Sequence, residues 1–111
     1  MDTAKLLEPA VRAVVDTHLD YGPPVLIEGD FVLPCRVRDA CVRVLVLDEP
    51  DRSQLEANFA RREPGAGPQT QRATVAWIFG QWLSAEAASN DVPVISARPW
   101  DTALARVVVA G

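Results

Sequence analysis

The chain has 111 residues, of which 49% are hydrophobic and 23% charged, a balance typical of one folded domain rather than of a disordered segment. Its formal net charge of −4 argues against a nucleic acid as partner, because proteins that bind nucleic acids gather Lys and Arg to neutralise phosphates. No stretch has the roughly 18 to 20 apolar residues of a membrane span, and the N-terminus lacks the pattern of a signal peptide, so we expect a cytoplasmic protein with no membrane partner.

The first part of the chain predicts a helix and then a strand. Apolar residues recur at spacings of three and four from Thr3 to Leu19, which indicates a helix, and Gly22 followed by two prolines ends it. Val25-Leu26-Ile27 is apolar on both faces, as expected of a parallel strand that helices cover. The residues at 31–39 then predict a loop.

The rest of the chain alternates between strand and helix patterns. In chain order it predicts a strand at 42–47, a helix at 52–62, a long helix at 69–88, a strand at 92–96 and a helix at 102–110. Asp51 is suited to be the N-cap of the helix at 52–62. In the long helix, the apolar stripe consists of Val75, Ile78, Phe79 and Trp82.

This alternation predicts the fold class. Strands separated by helices imply βαβ crossovers and a parallel sheet. We therefore expect an α/β protein of one domain, with three layers in which helices cover both faces of a parallel sheet made of short strands at about 25–30, 42–47 and 92–96.

The two cysteines do not indicate a metal or redox centre. Five residues lie between Cys35 and Cys41, which is the spacing of neither a redox CxxC pair nor a zinc site. The one histidine, His18, is on the apolar face of the first predicted helix, where we expect it to pack at the edge of the core. We predict reduced thiols and no metal bound by these residues.

Acidic and basic side chains follow the predicted strands. In open α/β sheets, ligands bind beyond the carboxyl ends of the strands. The residues at these ends and at the end of the helix at 52–62 are Glu28 and Asp30, Asp48 and Glu49, Arg98, Pro99 and Trp100, and Arg61 and Arg62. Carboxylates can hold Mg²⁺ or accept a proton, and arginines can neutralise a phosphoryl group, so this set is suited to phosphoryl transfer.

Three segments carry a resemblance to a known family. The segments are 25–34 (VLIEGDFVLP), 48–63 (DEPDRSQLEANFARRE) and 94–101 (VISARPWD). In their order and spacing they resemble the C-terminal part of P-loop kinases of the 2-phosphoglycerate-kinase-like group, some of which are described as AAA-type ATPases. The resemblance covers nearly the whole chain and implies a P-loop NTPase-like fold with a lid at about 52–72.

The resemblance also implies roles for individual residues. Glu28 and Asp30 would contact the substrate or the shell of Mg²⁺. Arg61 and Arg62 would be lid arginines that contact the phosphates of ATP, and Arg72 would be a further lid or substrate arginine. Two more residues, Arg98 and Pro99, would border the adenine. The phosphoryl acceptor would be a hydroxyl or carboxylate of a small molecule.

One departure from the family is decisive for activity. A P-loop kinase has a strand followed by GxxxxGK[ST], whose backbone N–H groups and lysine hold the phosphates of ATP. These 111 residues contain no such motif, and Lys5 is the single lysine. We therefore expect the chain to be inactive alone. Without the strand that leads into this motif, the sheet must close up, borrow a strand from a second copy or another chain, or stay partly folded.

Structural explanations compete with these functional ones. Glu28 and Asp30 also fit a tight turn at Gly29, Asp48 and Glu49 a strand-to-helix turn, and Arg61 and Arg62 a solvated helix C-terminus favoured by its dipole. Two functions therefore remain open. The first is a P-loop kinase-like protein with an ancestral role in ATP-dependent phosphoryl transfer. The second is a non-catalytic α/β protein that serves in binding or interaction.

Overall fold

The structure is a computed structural model, which describes residues 2–29, 32 and 41–110. The chain divides into two compact units. Unit 1 comprises Met1–Leu33 and Arg38–Val42, and unit 2 comprises Pro34–Val37 and Arg43–Gly111. Most of the loop predicted at 31–39, together with Cys35, lies outside the described residues. None of the described helices is both long and apolar enough to cross a bilayer.

Unit 1 begins with helix α1, which spans Asp2–Asp20 and so extends one residue beyond the predicted helix at each end. The turn after α1 is closed by backbone groups, since the N–H of Gly22 donates to the carbonyl of His18. The Nδ1 atom of His18 lies 2.8 Å from the carbonyl oxygen of Pro23. Glycine is required at position 22, because a Cβ there would lie 2.5 Å from His18 Nδ1. His18 therefore has a structural explanation in the closure of this turn.

The predicted strand at 25–30 is wrong for its described residues, 25–29, which form no regular element. Val25 and Leu26 are exposed over 46% and 89% of their surface. An apolar run satisfies the burial pattern of a strand, but a strand also needs a neighbour that accepts and donates its backbone hydrogen bonds. No described strand pairs with this segment.

Unit 2 contains the remaining regular elements. In chain order these are β1 (Val46–Asp48), α2 (Arg52–Arg62), α3 (Thr70–Ser89), β2 (Val94–Ser96) and α4 (Ala103–Ala110). One turn of 3₁₀ helix precedes α3 at Pro64–Ala66, and another leads into α4 at Trp100–Thr102. The helices lie within one or two residues of their predicted bounds. Only the last two residues of the predicted strand at 42–47 belong to β1, which continues to Asp48. The predicted strand at 92–96 begins two residues later, after Pro93.

The strands β1 and β2 form a parallel two-stranded sheet in which Leu47 is aligned with Ile95. The N–H of Val46 donates to the carbonyl of Pro93 at 2.9 Å, and the N–H of Ala97 donates to the carbonyl of Asp48 at 2.8 Å. Helix α3 contacts both strands, and α4 contacts β2. The prediction that these two strands pair in parallel is confirmed, and α2 and α3 form the crossover between them.

The predicted fold class is nevertheless wrong. The described residues contain one sheet of two short parallel strands and four α-helices, not a three-layer parallel sheet of the P-loop NTPase type. The physical reason is that each strand has three residues and only one described neighbour, so the sheet is too small to separate two layers of helices. Helix, rather than sheet, makes up most of the described chain.

The core of unit 2 is built from small side chains. Its most buried residues are Ala73, Ala87, Val92, Ile95 and Ala97. The two alanines belong to α3, which packs against α2 and against both strands. No large side chain of the described residues is fully buried. We infer that packing of the described elements supplies a modest hydrophobic stabilisation, since this scales with the apolar area removed from water.

Candidate functional site

An open cleft of about 680 Å³ lies where β1 and β2 end. Because the strands are parallel, their carboxyl ends meet at one edge of the sheet, and the residues that follow them face each other there. The lining residues are Glu49 and Pro50 after β1, and Ser96, Arg98, Pro99, Trp100 and Asp101 at and after the end of β2. We call this site the strand-end cleft.

An ion pair between Glu49 and Arg98 connects the two segments that follow the strands. Nη2 of Arg98 donates to Oε2 of Glu49 at 3.1 Å. Nε lies 2.5 Å from Oε1, but its N–H does not point at that oxygen as a hydrogen bond requires. The side chain of Glu49 is only 7% exposed, whereas that of Arg98 is 41% exposed. A buried carboxylate is costly without partners, and here Glu49 is stabilised by Arg98 and by the backbone N–H of Asp51, which donates to Oε2 at 3.2 Å.

The N-terminus of α2 holds the other side of the Arg98 guanidinium. Nη1 of Arg98 donates to Oε1 of Gln54 at 3.1 Å, and Nη2 lies 3.8 Å from Oδ2 of Asp51. Asp51 is the predicted N-cap, and its Oδ1 accepts hydrogen bonds from the N–H and the hydroxyl of Ser53. These Ser53 hydrogen bonds hold the pKa of Asp51 below its usual value, and the charge of Arg98 adds a smaller effect.

Two further side chains fix the backbone around the cleft. Nη1 and Nη2 of Arg106 on α4 donate to the carbonyls of Ser96 and Pro99, the latter at 2.8 Å. Nε1 of Trp77 on α3 donates to the carbonyl of Pro50 at 2.9 Å. Both walls of the cleft are therefore held by helices of unit 2, as expected for a site whose geometry is set in advance of binding.

Asp48, the last residue of β1, lies next to Glu49 and faces α3. Its Oδ1 would be 3.7 Å from a Cβ placed on Gly80, an ordinary van der Waals distance, so Asp48 faces α3 at this glycine. Burial raises the pKa of Asp48 above its usual value and the charge of Glu49 raises it further, while the neighbouring Ser84 hydroxyl acts in the opposite direction. Two adjacent carboxylates thus share this edge, and one of them is paired with Arg98.

The chemistry of the lining favours a flat ring over an anion. Trp100 is 55% exposed, and Pro50 and Pro99 are also exposed, so rigid apolar surface is open to a ligand. The charged lining residues are two acids, Glu49 and Asp101, and one base, Arg98. The single guanidinium is already bound to Glu49. A phosphate would therefore meet more negative than free positive charge in this cleft.

The structure brings some of the predicted site residues together. Arg98 and Pro99, predicted to border an adenine, both line the strand-end cleft, and Trp100 stands beside them. Glu28 lies in unit 1, where it is exposed. Asp30 lies outside the described residues. The predicted roles of these residues toward a substrate stay predictions.

The predicted lid arginines form a separate cluster. The guanidinium groups of Arg62 and Arg72 lie 5.1 and 4.2 Å from the centroid of the Phe59 ring, and Arg72 also pairs with Glu63. Arg61 is exposed in the last turn of α2. Gln54, at the cleft, lies eight residues before Arg62, which corresponds to about 12 Å along the helix axis. Arg62 and Arg72 are therefore not part of the strand-end cleft.

Gln54, Trp77 and Arg106 were not predicted as site residues. Each acts on the cleft from a helix, through a backbone carbonyl or through Arg98. No local motif marks such a contact. The signal that was present is weaker: Arg106 follows the strand-end segment by one helical turn, where its long side chain can reach the carbonyls before α4.

Among the described residues, no group of three or more His, Cys, Asp or Glu side chains is placed to hold a metal ion.

Comparison with protein-family models, with curated proteins and with solved structures gives no match for this chain. The resemblance to P-loop kinases therefore stays a prediction, and the function has to be argued from the cleft itself.

Proposed function

We propose that the strand-end cleft binds the base of an adenine nucleotide, and that the chain is a partial, kinase-like nucleotide-binding protein. The observation that carries this proposal is the exposed Trp100, which lines one cleft with Pro99 and the Glu49–Arg98 pair at the carboxyl edge of a parallel sheet. A nucleobase stacks on aromatic rings and on arginine planes, and such a contact is worth about 1–3 kcal/mol per base. The position agrees with the rule that open parallel sheets bind ligands beyond their strand ends.

Polar groups of the cleft can select among flat rings. Glu49 and Asp101 are acceptors, and an exocyclic amino group such as that of adenine is a donor. The Arg98 guanidinium is fixed by Glu49 and Gln54, so it offers a planar face rather than a free charge. Adenine therefore fits the lining better than a ring that carries only acceptors.

The phosphates are expected to contribute little. The sequence contains no GxxxxGK[ST], and the charged residues of the cleft include more acids than bases. This chain by itself is then a binder of the base and not a phosphotransferase. Phosphoryl transfer to a small-molecule hydroxyl or carboxylate would need a phosphate-binding loop from outside these 111 residues, together with Mg²⁺.

The test is a titration of the protein with adenosine, AMP and ATP, with and without Mg²⁺, followed by tryptophan fluorescence and by calorimetry. We expect adenosine and ATP to bind with dissociation constants within about threefold of each other, which is less than 0.7 kcal/mol. Trp100→Leu should abolish the fluorescence change. Trp82→Phe, which changes a tryptophan outside the cleft, should keep it.

Two results would contradict the proposal. If adenosine at millimolar concentration neither quenches Trp100 nor releases heat, the cleft is not a base site. If ATP with Mg²⁺ binds more than about tenfold more tightly than adenosine, a phosphate site exists that the described residues do not explain.

The second function, a non-catalytic interaction protein, is favoured by a different observation. Large apolar side chains are exposed on unit 2, among them Leu104 on α4 and Val75 and Ile78 on α3. Exposed apolar patches mark interaction surfaces when they are contiguous.

A further inference from the structure

Helix α3 has two opposite faces of different character. The face toward the rest of unit 2 is made of small residues and Trp77: Ala73 and Ala87 are fully buried, Gly80 lies beside Asp48, and Trp77 donates a hydrogen bond to Pro50. Val75, Ile78 and Trp82 are turned about 140–200° from Ala73 around the helix, at 100° per residue. Three of the four residues of the predicted apolar stripe therefore lie on the side that faces away from the sheet. The fourth, Phe79, lies at its flank and stacks on Trp82, with ring centroids 5.7 Å apart.

This outer side carries the spacing of a two-helix seam. Its residues follow each other at alternating steps of four and three, which is the pattern of helices that pack side by side. The seam comprises Gln71, Val75, Ile78, Trp82, Ala85 and Ser89. The four central residues are apolar and the two terminal ones are polar. Val75 and Ile78 are exposed over 67% and 50% of their surface in the whole described chain.

An antiparallel pair of α3 helices makes the seam self-complementary. With the two-fold axis beside Gly80, Ile78 of one copy faces Trp82 of the other, and Val75 faces Ala85. Large residues thus lie opposite large ones at the centre, and a small alanine accepts valine on either side. The polar residues Gln71 and Ser89 meet at both ends, where water reaches them.

Charge complementarity selects this orientation. The same axis places Arg72 of one copy beside Glu86 of the other at both ends of one side of the seam. Arg72 belongs to a cluster of two arginines and one glutamate, with Arg62 and Glu63, so a positive charge is left to attract Glu86. In a parallel pair, Glu86 would lie beside Gln81 and gain no ion pair.

We propose that α3 mediates an antiparallel homodimer through this seam. The partner is a second copy of the chain, and the strand-end cleft is not involved, because α3 presents its opposite face to Asp48 and Pro50. The helix has 20 residues and is about 30 Å long. Two such helices bury less than the roughly 1,600 Å² of a standard stable complex. The dimer is therefore expected to dissociate in the micromolar range.

Sedimentation velocity over a wide range of protein concentration tests the proposal. The wild type should pass from monomer to dimer, and Ile78→Glu should weaken the dimer at least about tenfold. Glu86→Arg should weaken it too, and Glu86→Gln less. Leu104→Glu is the matched control, because Leu104 is an equally large, 76% exposed residue of α4, and it should leave the dimer unchanged. Far-UV circular dichroism confirms that each variant is folded.

Cross-linking tests the orientation without disrupting the seam. In a background with Cys35 and Cys41 replaced by Ser, Gln81→Cys should give a dimer with a short bismaleimide, since position 81 meets itself across the axis. Ser89→Cys should not, because it lies near Gln71 of the other copy. A monomer at all concentrations, a dimer insensitive to Ile78→Glu, or cross-linking at 89 but not at 81 would each overturn the proposal.

Discussion

The Glu49–Arg98 pair makes an asymmetric prediction for stability. In Arg98→Met, the carboxylate of Glu49, which is 7% exposed in the wild type, loses its counter-charge. In Glu49→Gln, the guanidinium of Arg98 is 41% exposed and can be solvated, and it keeps its contact with Gln54. The arginine variant should therefore be the more destabilised of the two, although both remove the same ion pair.

The magnitude follows from the burial of the two partners. Leaving a charge uncompensated in a fully buried pair costs about 3–5 kcal/mol. Because Arg98 stands at the edge of an open cleft, water can reach part of Glu49 after the substitution, and we expect roughly half, about 2 kcal/mol. For Glu49→Gln we expect about 0.5–1 kcal/mol, the range of an ordinary intramolecular hydrogen bond. The double variant should recover most of the loss from Arg98→Met.

Urea unfolding at pH 7, followed by circular dichroism, measures these differences. Arg61→Met is the matched control, since Arg61 is exposed in the last turn of α2, and it should change the free energy of unfolding by less than about 0.5 kcal/mol. Equal losses for Arg98→Met and Glu49→Gln, or a double variant with the sum of both losses, would refute the reasoning from burial.

Three further predictions concern single positions in unit 2. Gly80→Ala should stabilise the protein by about 0.5–1 kcal/mol, because glycine is unfavourable inside a helix and the added Cβ would lie at an ordinary 3.7 Å from Asp48. Gly67→Ala should destabilise it, because φ is 74° there. Urea midpoints measure both changes. Asp51→Ala should lower the urea midpoint at pH 7 more than Asp51→Asn. The part of this loss that is due to the charge should shrink as pH falls below the unfolded value of about 3.9, because the pKa of Asp51 is lowered in the folded state and its stabilising charge is lost as pH falls through the folded pKa. Asp48→Asn should raise the urea midpoint at pH 7 and have no effect at about pH 3. The pKa of Asp48 is raised in the folded state, so its ionisation opposes folding as pH rises. An equal change of the midpoint at pH 7 and at about pH 3 would contradict this.

Helices could be predicted from the sequence, because their hydrogen bonds close within four residues. The bounds of α1, α2 and α3 follow from spacing, from the N-cap Asp51 and from Gly and Pro at the ends. Strands could be predicted less well, because their hydrogen bonds depend on a distant partner. Val46–Asp48 finds one in β2, whereas Val25-Leu26-Ile27, which has the same apolar character, pairs with no described strand.

The orientation of α3 shows a second limit. Spacing identified Val75, Ile78, Phe79 and Trp82 as its apolar stripe, and the helix instead buries Ala73 and Ala87 and places Gly80 beside Asp48. A hydrophobic pattern reports which face is apolar, but not which face permits the closest approach. When both faces are apolar, as in α3, the small residues decide packing inside the chain, and the large ones are left for another surface.

Because α3 packs inside the chain with one face and carries the proposed seam on the other, dimerisation and stability of the cleft are thermodynamically linked. The inner face of α3 holds Pro50 and Asp48 beside the cleft, and its outer face carries the seam, so an association that binds only folded chains also stabilises the cleft. At a free protein concentration ten times the dissociation constant, the gain is about 1.4 kcal/mol. The melting temperature of the wild type should then rise with protein concentration, measured by scanning calorimetry. That of Ile78→Glu should not, whereas that of Leu104→Glu should behave like the wild type. A melting temperature independent of concentration in all three proteins would mean that α3 keeps its place at the cleft without help from a second copy.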